Sequence, residues 1–349
     1  MQLVVHTSIT EIDAAQWNAM LKSNNPFVRH EFLLGLEITG CVTPDTGWQP
    51  SHLAVYQDEE QTKLLGAMPL YVKSHSYGEY IFDWSWADAF QRNGLQYYPK
   101  LSNAIPFTPA TGERILTATG ADALYISDAL INHALHLAEA TQMSSFHCLF
   151  CDASQLEAFQ KHRLLARHST QFHWQNRNYQ SFDHFLEQLS SKKRKNIRRE
   201  RRRVSDAGIH YRWYTHDDLT HPIADQMFDF YLRTIHLYGA QSYLNRAFFH
   251  YLVDNFNAQT LILLAEHDDH VVAGGLYFKS NDTLYGRYWG TKHDLHSVHF
   301  ETCYYQAIEW CIAHGYARFE AGAQGEHKLA RGLEPVTTYS APVSYTHLR

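Results

Sequence analysis

The 349-residue chain lacks any apolar run near the roughly 18 residues of a membrane-spanning helix; its best short run is 261–265. Its first residues, Met1-Gln-Leu-Val-Val-His-Thr, show neither a basic n-region nor an apolar h-region, so a cytoplasmic location is expected. Cysteine is scarce and odd in number, five in all, which argues against a disulfide framework. Cys148 and Cys151 form one CxxC with no second pair to complete a zinc site. They sit in an apolar stretch, 146–151, that reads as a buried strand. Cys303 and Cys311 share one helical stripe about 12 Å apart, beyond disulfide reach, and the cysteines read as inert core thiols. Also missing are the G-x-S-x-G nucleophile elbow, the P-loop and any G-x-G-x-x-G after a strand. His293, His296 and His299 recur every third residue without supporting carboxylates, so no metal site is expected.

What is present describes an ordinary globular chain with one unusual element. Hydrophobic residues make up 45% and charged ones 19%, with 8 Trp, 22 Tyr and 19 Phe to fill a core, and the length suggests two domains. The net charge is −6, yet residues 192–203 hold nine of the 30 Lys and Arg and carry +8, leaving −14 elsewhere. Ser190 or Ser191 can cap this run as a helix over 191–206, ending before Gly208, and Ser181 can cap a helix over 182–189. Only Glu200 supplies internal compensation, which points to a polyanion partner for Lys192, Lys193, Arg194, Lys195, Arg198, Arg199, Arg201 and Arg202.

Two segments look like copies of one unit. Residues 64–74 followed by 77–86, and 271–280 followed by 283–289, each read as a hairpin with period-2 alternation. Strands 52–56 and 260–266 precede them; helices at 126–141 and 299–314, then strands at 145–151 and 316–321, follow them. Further helices are predicted at 223–238 and 246–255. The recurrence implies two similar α/β halves fused in tandem.

Two clusters could carry chemistry. Phe319-Glu-Ala-Gly-Ala-Gln-Gly-Glu-His-Lys-Leu-Ala-Arg-Gly332 ends a strand and brings Glu326, His327, Lys328 and Arg331 together, with Gly322 and Gly325 letting the backbone pass near a ligand. Asp83-Trp-Ser-Trp-Ala-Asp88, with Lys100 downstream, could line a groove for a polar, partly flat substrate; core tryptophans and turn-capping aspartates are the other reading.

These passages carry a family resemblance. The stretches 74–88, Tyr97-Tyr-Pro-Lys-Leu, Pro106-Phe-Thr-Pro and Gly322-Ala-Gln-Gly-Glu-His-Lys-Leu-Ala-Arg-Gly resemble the bacterial N-acyltransferases of the peptidoglycan-biosynthesis-related group, placed beside the FemAB peptidyltransferases in the GNAT superfamily. The resemblance runs from about residue 25 to 340 and implies an α/β fold of tandem GNAT-like half-domains with mixed sheets. The halves are expected at 1–175 and 176–340, with 341–349 a non-native or truncated tail. It further implies transfer of an acyl or aminoacyl group to an amine of a small molecule or cell-wall precursor. The donor would be aminoacyl-tRNA or acyl-CoA, with a tRNA partner and no tightly bound cofactor. An acyl-CoA-dependent acetyltransferase and a noncatalytic RNA-binding protein on the same fold are the alternatives. Arg287-Tyr-Trp-Gly290 matches the first half of the [QR]-x-x-G-x-[GA] motif that holds the CoA pyrophosphate and departs from it at Lys292. On residue chemistry, His299, Glu301, Glu326 and His327 are candidates for proton handling. Arg287, Lys328 and Arg331 would hold phosphates, and Asp83, Trp86, Asp88 and Lys100 would line the acceptor groove.

Overall fold

The computed structural model describes residues 1–292, 297–323 and 325–344. They form two compact units, Met1–Ser169 together with the chain from Thr337, and Thr170–Val336. The division therefore falls before the expected 175/176 boundary, and residues 341–344 belong to a strand, Glu334–Ser344. This strand returns to the first unit because its last residues pair antiparallel with Ser145–Cys151, from Tyr339 opposite Cys151 to Ser344 opposite Ser145.

In the first unit, Gln2–His6, His52–Tyr56, Leu64–Met68 and Leu116–Thr117 make an antiparallel four-stranded sheet. A second set runs from the returning strand through Ser145–Cys151, Lys100–Asn103 and Tyr71–Lys73 to Trp48–Pro50. Ser145–Cys151 is buried along its whole length and lies parallel to Lys100–Asn103, the environment in which a strand reads as continuously apolar. Asp122 caps the helix Ala123–Ala140, whose Ile126, Leu130, Ala134 and Ala138 pack with Leu53, Val55, Met68 and Phe146. The expected strand over 77–86 does not form. Positive φ at Gly78 and Tyr80 breaks the extended run, Trp84–Arg92 is a helix, and Tyr71–Lys73 pairs with Lys100–Asn103 instead. Glu79 and Asp83 turn inward to meet Lys100, a contact that a regular hairpin could not make.

The second unit follows its sequence pattern more closely. His210–Thr215, Thr260–His267, His270–Lys279 and Thr283–Thr291 form an antiparallel succession, and Arg318–Glu320 adds parallel to the last. Here the expected hairpin is real. Helices occupy Phe182–Glu187, Ser191–Asp206, His221–Leu237 and Arg246–Asn255, with Ser181 and Ser190 capping the first two as their spacing suggested. Residues 298–313 are one helix interrupted by a π-helical turn at Glu301–Tyr305, a feature frequent at functional sites.

One glycine shows how tightly the layers meet. A Cβ on Gly290 would lie 2.1 Å from the carbonyl oxygen of Phe230 on His221–Leu237. Backbone cannot yield as a side chain does, so Gly290→Ala is expected to destabilise the protein by about 1–3 kcal/mol. A urea titration should show an earlier midpoint with an unchanged slope.

Candidate active site

The parallel strands of the second unit pair over only three positions, Thr283 with Arg318, Leu284 with Phe319 and Tyr285 with Glu320, and then diverge. A cavity of about 100 Å³ opens where they part. Gly286, Arg287 and Trp289 line it from one strand, Ala321 from the other, and His299, Cys303 and Tyr304 from the helix above. Beyond the last paired residues Gly286, Arg287 and Trp289 border the cavity, and the Trp289 carbonyl accepts from the Thr234 hydroxyl at 2.7 Å. The π-helical turn re-aims this face of the helix, so that His299 and Tyr304 both border the cavity.

The His299 ring packs against Trp289 at a tilt of 31°, with ring centres 4.4 Å apart. Burial, reinforced by the neighbouring His327, Arg331 and Lys328, holds its pKa down at about 4, so the imidazole is neutral at pH 7. The Tyr304 hydroxyl shares a 2.9 Å hydrogen bond with His327 Nε2. Burial pushes the phenol up, and Tyr304 stays protonated. Burial and the cations Arg331 and Lys328 push His327 down. Lys328 is buried, donates to the Gly322 carbonyl at 2.9 Å, and is pulled by burial to about 8. The Arg331 guanidinium lies 3.4 Å above the Phe300 ring, donates to the His327 carbonyl and reaches Glu200.

The fold thus gathers Arg287, His299, His327, Lys328 and Arg331 around the strand divergence, and adds Tyr304. Tyr304 falls on the apolar stripe of its helix, where nothing in the sequence distinguishes a phenol used for packing from one that meets a histidine. Gly325 does not make room for a ligand: a Cβ there would meet the His327 ring at 2.5 Å, so this glycine accommodates the imidazole of its own loop. Glu326 is exposed. Glu301 faces the basic helix instead, its Oε1 accepting from Arg201 Nε at 3.1 Å and from Gln306 Nε2 at 2.8 Å. Arg287–Gly290 lies inside the strand Thr283–Thr291, with Gly290 opposite Gly274, so these four residues do not form a loop that could wrap a pyrophosphate. His293 and His296 lie outside the described residues; among those described, no three His, Cys, Asp or Glu are grouped to hold a metal.

The basic helix is joined to this region through Lys193, Glu200 and Arg201. Glu200 accepts from the Tyr305 hydroxyl and from Arg331, while Arg201 pairs with Glu301 and, at 2.6 Å, with Glu309. Lys193 Nζ donates to the Leu329 carbonyl at 2.7 Å. Arg201 is therefore turned inward and committed to carboxylates, unlike the free cation that the charge run suggested. Lys192, Lys195, Arg198, Arg199 and Arg202 are exposed, and Arg194 is half-buried.

Asp83 and Lys100 do not line a groove. Lys100 is 0% exposed, with Nζ 2.7 Å from Glu79 Oε2, 2.6 Å from Asp83 Oδ2 and 2.8 Å from Ser76 Oγ. The Tyr97 hydroxyl also donates to Asp83, at 2.7 Å. Such a buried, multiply bonded ion cluster is interior architecture. Trp86 and Asp88 are exposed on Trp84–Arg92, with the Arg167 guanidinium 5.5 Å from the Trp86 ring centre.

Both units place a parallel strand pair beside a long helix, Lys100–Asn103 with Ser145–Cys151 in one and Thr283–Thr291 with Arg318–Glu320 in the other. The fold is α/β with mixed sheets. It is similar to the C-terminal domain of a protein from Agrobacterium fabrum assigned as a lysylphosphatidylglycerol synthetase, at TM-score 0.59 and 8% identity over 97% of this chain and 94% of that one. FemX is similar at TM-score 0.55 and 10% identity, covering 97% of each chain. A conserved Bacteroides thetaiotaomicron protein of unknown function matches at TM-score 0.55 and 12% identity, over 98% of this chain and 100% of that one. No curated protein matches by sequence. The family model for FemAB-like proteins, described as peptidoglycan biosynthesis/recognition, matches residues 8–347, and the chain belongs to that family.

Proposed function

We propose that the protein is an N-acyltransferase, moving an aminoacyl group from tRNA to an amine of a cell-wall precursor, with the chemistry at the strand divergence of the second unit. The observation that carries this reading is the cavity where the strands part, bordered by His299 and Tyr304, with His327 hydrogen-bonded to the Tyr304 hydroxyl and buried Lys328 on the adjoining loop. A neutral amine attacks the ester carbonyl, forming the C–N bond. Lys328 opposes the charge that develops on the carbonyl oxygen. The C–O bond breaks as Tyr304 protonates the leaving hydroxyl, and His327 takes up the proton released by the amine and returns one to Tyr304. The donor is a co-substrate and no resident cofactor is required. Use of tRNA implies a cytoplasmic protein, and no described helix is long and apolar enough to cross a membrane.

The exposed cations of Ser191–Asp206 favour tRNA over acyl-CoA as donor, as does the strand conformation of Arg287–Gly290. The test is direct. Labelled aminoacyl-tRNA and labelled acetyl-CoA are offered separately with cell-wall precursors. Label passing to the precursor amine from aminoacyl-tRNA alone is the expected result; transfer from acetyl-CoA alone, or from neither, overturns the reading.

The helix supplies a second expected outcome. Replacing Arg198, Arg199 and Arg202 by Gln should weaken tRNA binding and flatten its log–log salt dependence, by up to about 0.9 for each phosphate that is no longer neutralised. The fold should persist, since among the described residues Arg198 pairs with exposed Asp183 alone and such pairs contribute about 0–1 kcal/mol. Arg201→Gln should behave oppositely, lowering the melting temperature because it leaves buried Glu301 without its cation.

A further inference from the structure

A second cavity of the same unit, about 660 Å³, lies apart from the chemistry proposed above, among Phe182–Glu187, the basic helix and the outer face of 301–309. Its surfaces differ in character. Phe182, Leu186, Val204 and Ile209 form an apolar wall, and Arg198 and Arg202 stand at the rim. Arg202 has no ion-pair partner among the described residues. Arg198 is met by Asp183 in an exposed pair that a phosphate can displace. Glu301 contributes a carboxylate that is 3% exposed. Its Oε1 is occupied by Arg201 and Gln306, whereas Oε2 has no hydrogen-bond partner among the described residues. A buried acceptor left unmet is costly until a donor arrives.

We infer that this groove binds one nucleoside phosphate unit. The phosphate sits on Arg198 and Arg202, the base lies against the apolar wall, and a sugar hydroxyl or base amine donates to Glu301 Oε2. A bare phosphate would leave the wall and the carboxylate unused, a hydrocarbon chain would have no use for two guanidiniums, and a simple amine would leave the guanidiniums unused. The volume falls within the about 300–1,000 Å³ of small-ligand sites. An RNA terminus and a nucleotide-activated small molecule share this chemistry. The inference deepens the reading of a nucleotide-borne donor, but binding is measured without turnover, so either can fail while the other stands.

The experiment is calorimetric titration of the full chain with cytidine monophosphate, a nucleoside diphosphate, a short RNA and inorganic phosphate. Ser205 is exposed and lines the groove, so Ser205→Trp fills it while keeping every cation. The nucleotides are expected to bind the parent protein and to lose at least about tenfold in affinity in Ser205→Trp, with heparin binding to the helix unchanged. Arg202→Gln, a surface change that keeps the fold, should also cost about tenfold by removing a charge-assisted hydrogen bond to the phosphate. Tighter binding of the RNA assigns the site to a chain terminus, and tighter binding of the diphosphate assigns it to a free nucleotide. Unchanged affinity in Arg202→Gln or in folded Ser205→Trp, inorganic phosphate binding as tightly as the nucleotides, or no nucleotide binding overturns the inference.

Discussion

Tyr304→Phe is expected to slow acyl transfer by about 10²- to 10⁴-fold, the usual contribution of one positioned proton donor. The ring is buried and its packing survives the change, so the melting temperature should move little; the loss is confined to the hydroxyl that meets His327 at 2.9 Å. Because the phenol acts on the leaving group after the substrates are bound, the fall should appear in kcat with KM nearly unchanged. His327→Gln should show a loss of comparable size, and the double variant should cost little more than either alone, since the two groups act as one relay. Full activity in Tyr304→Phe would remove the proton path proposed here. Additive losses in the double variant would place the two residues in separate steps.

Lys100→Met is expected to have the largest effect on stability, about 3–5 kcal/mol, because it leaves Glu79 and Asp83 as buried carboxylates without their cation. Replacing all three by Met, Gln and Asn should recover much of that loss, as removing a whole buried ion group costs less than orphaning part of it. The pH dependence has a definite sign. Burial alone would raise Asp83, but Lys100 and the hydrogen bonds from Lys100 and Tyr97 outweigh it and hold the folded pKa below its ordinary 3.8. Its contribution is thus fully present above that value and is lost as pH falls through the lower folded one. For Lys100, burial opposes the charge, while Glu79 and Asp83 overcome it and lift the folded pKa above 10.5. That contribution is present below 10.5 and disappears as pH rises through the folded value. Between about pH 5 and 9 the parent protein should therefore keep the cluster intact. The Lys100→Met penalty should shrink as pH falls and the orphaned carboxylates become protonated, which urea titrations at several pH values would measure. A penalty that grows on acidification would contradict the buried triad.

The sequence by itself determined the local elements. A serine before a long charged run fixed the basic helix at Ser191–Asp206, the largely apolar stretch 146–151 fixed the strand Ser145–Cys151, and period-2 alternation fixed the hairpin from His270–Lys279 to Thr283–Thr291. Each signal depends on neighbours along the chain, where capping, period and breaker residues act. It also carried enough long motifs for the family to be read. Tertiary structure decided what the charged and aromatic side chains do. Asp83 and Lys100 read as a ligand groove because nothing local tells a solvated charge from one closed in a buried triad with Glu79. Arg201 looked like its neighbours in the run, yet a helix turns each residue about 100° from the last. That rotation sends Arg201 to Glu301 and Glu309 while Arg202 stays exposed. The π-helical turn at Glu301–Tyr305 likewise has no period of its own in the sequence, and it sets which residues of that helix meet the cavity. Pairing between side chains far apart in the chain depends on the packing of whole elements, and only the folded chain supplies it.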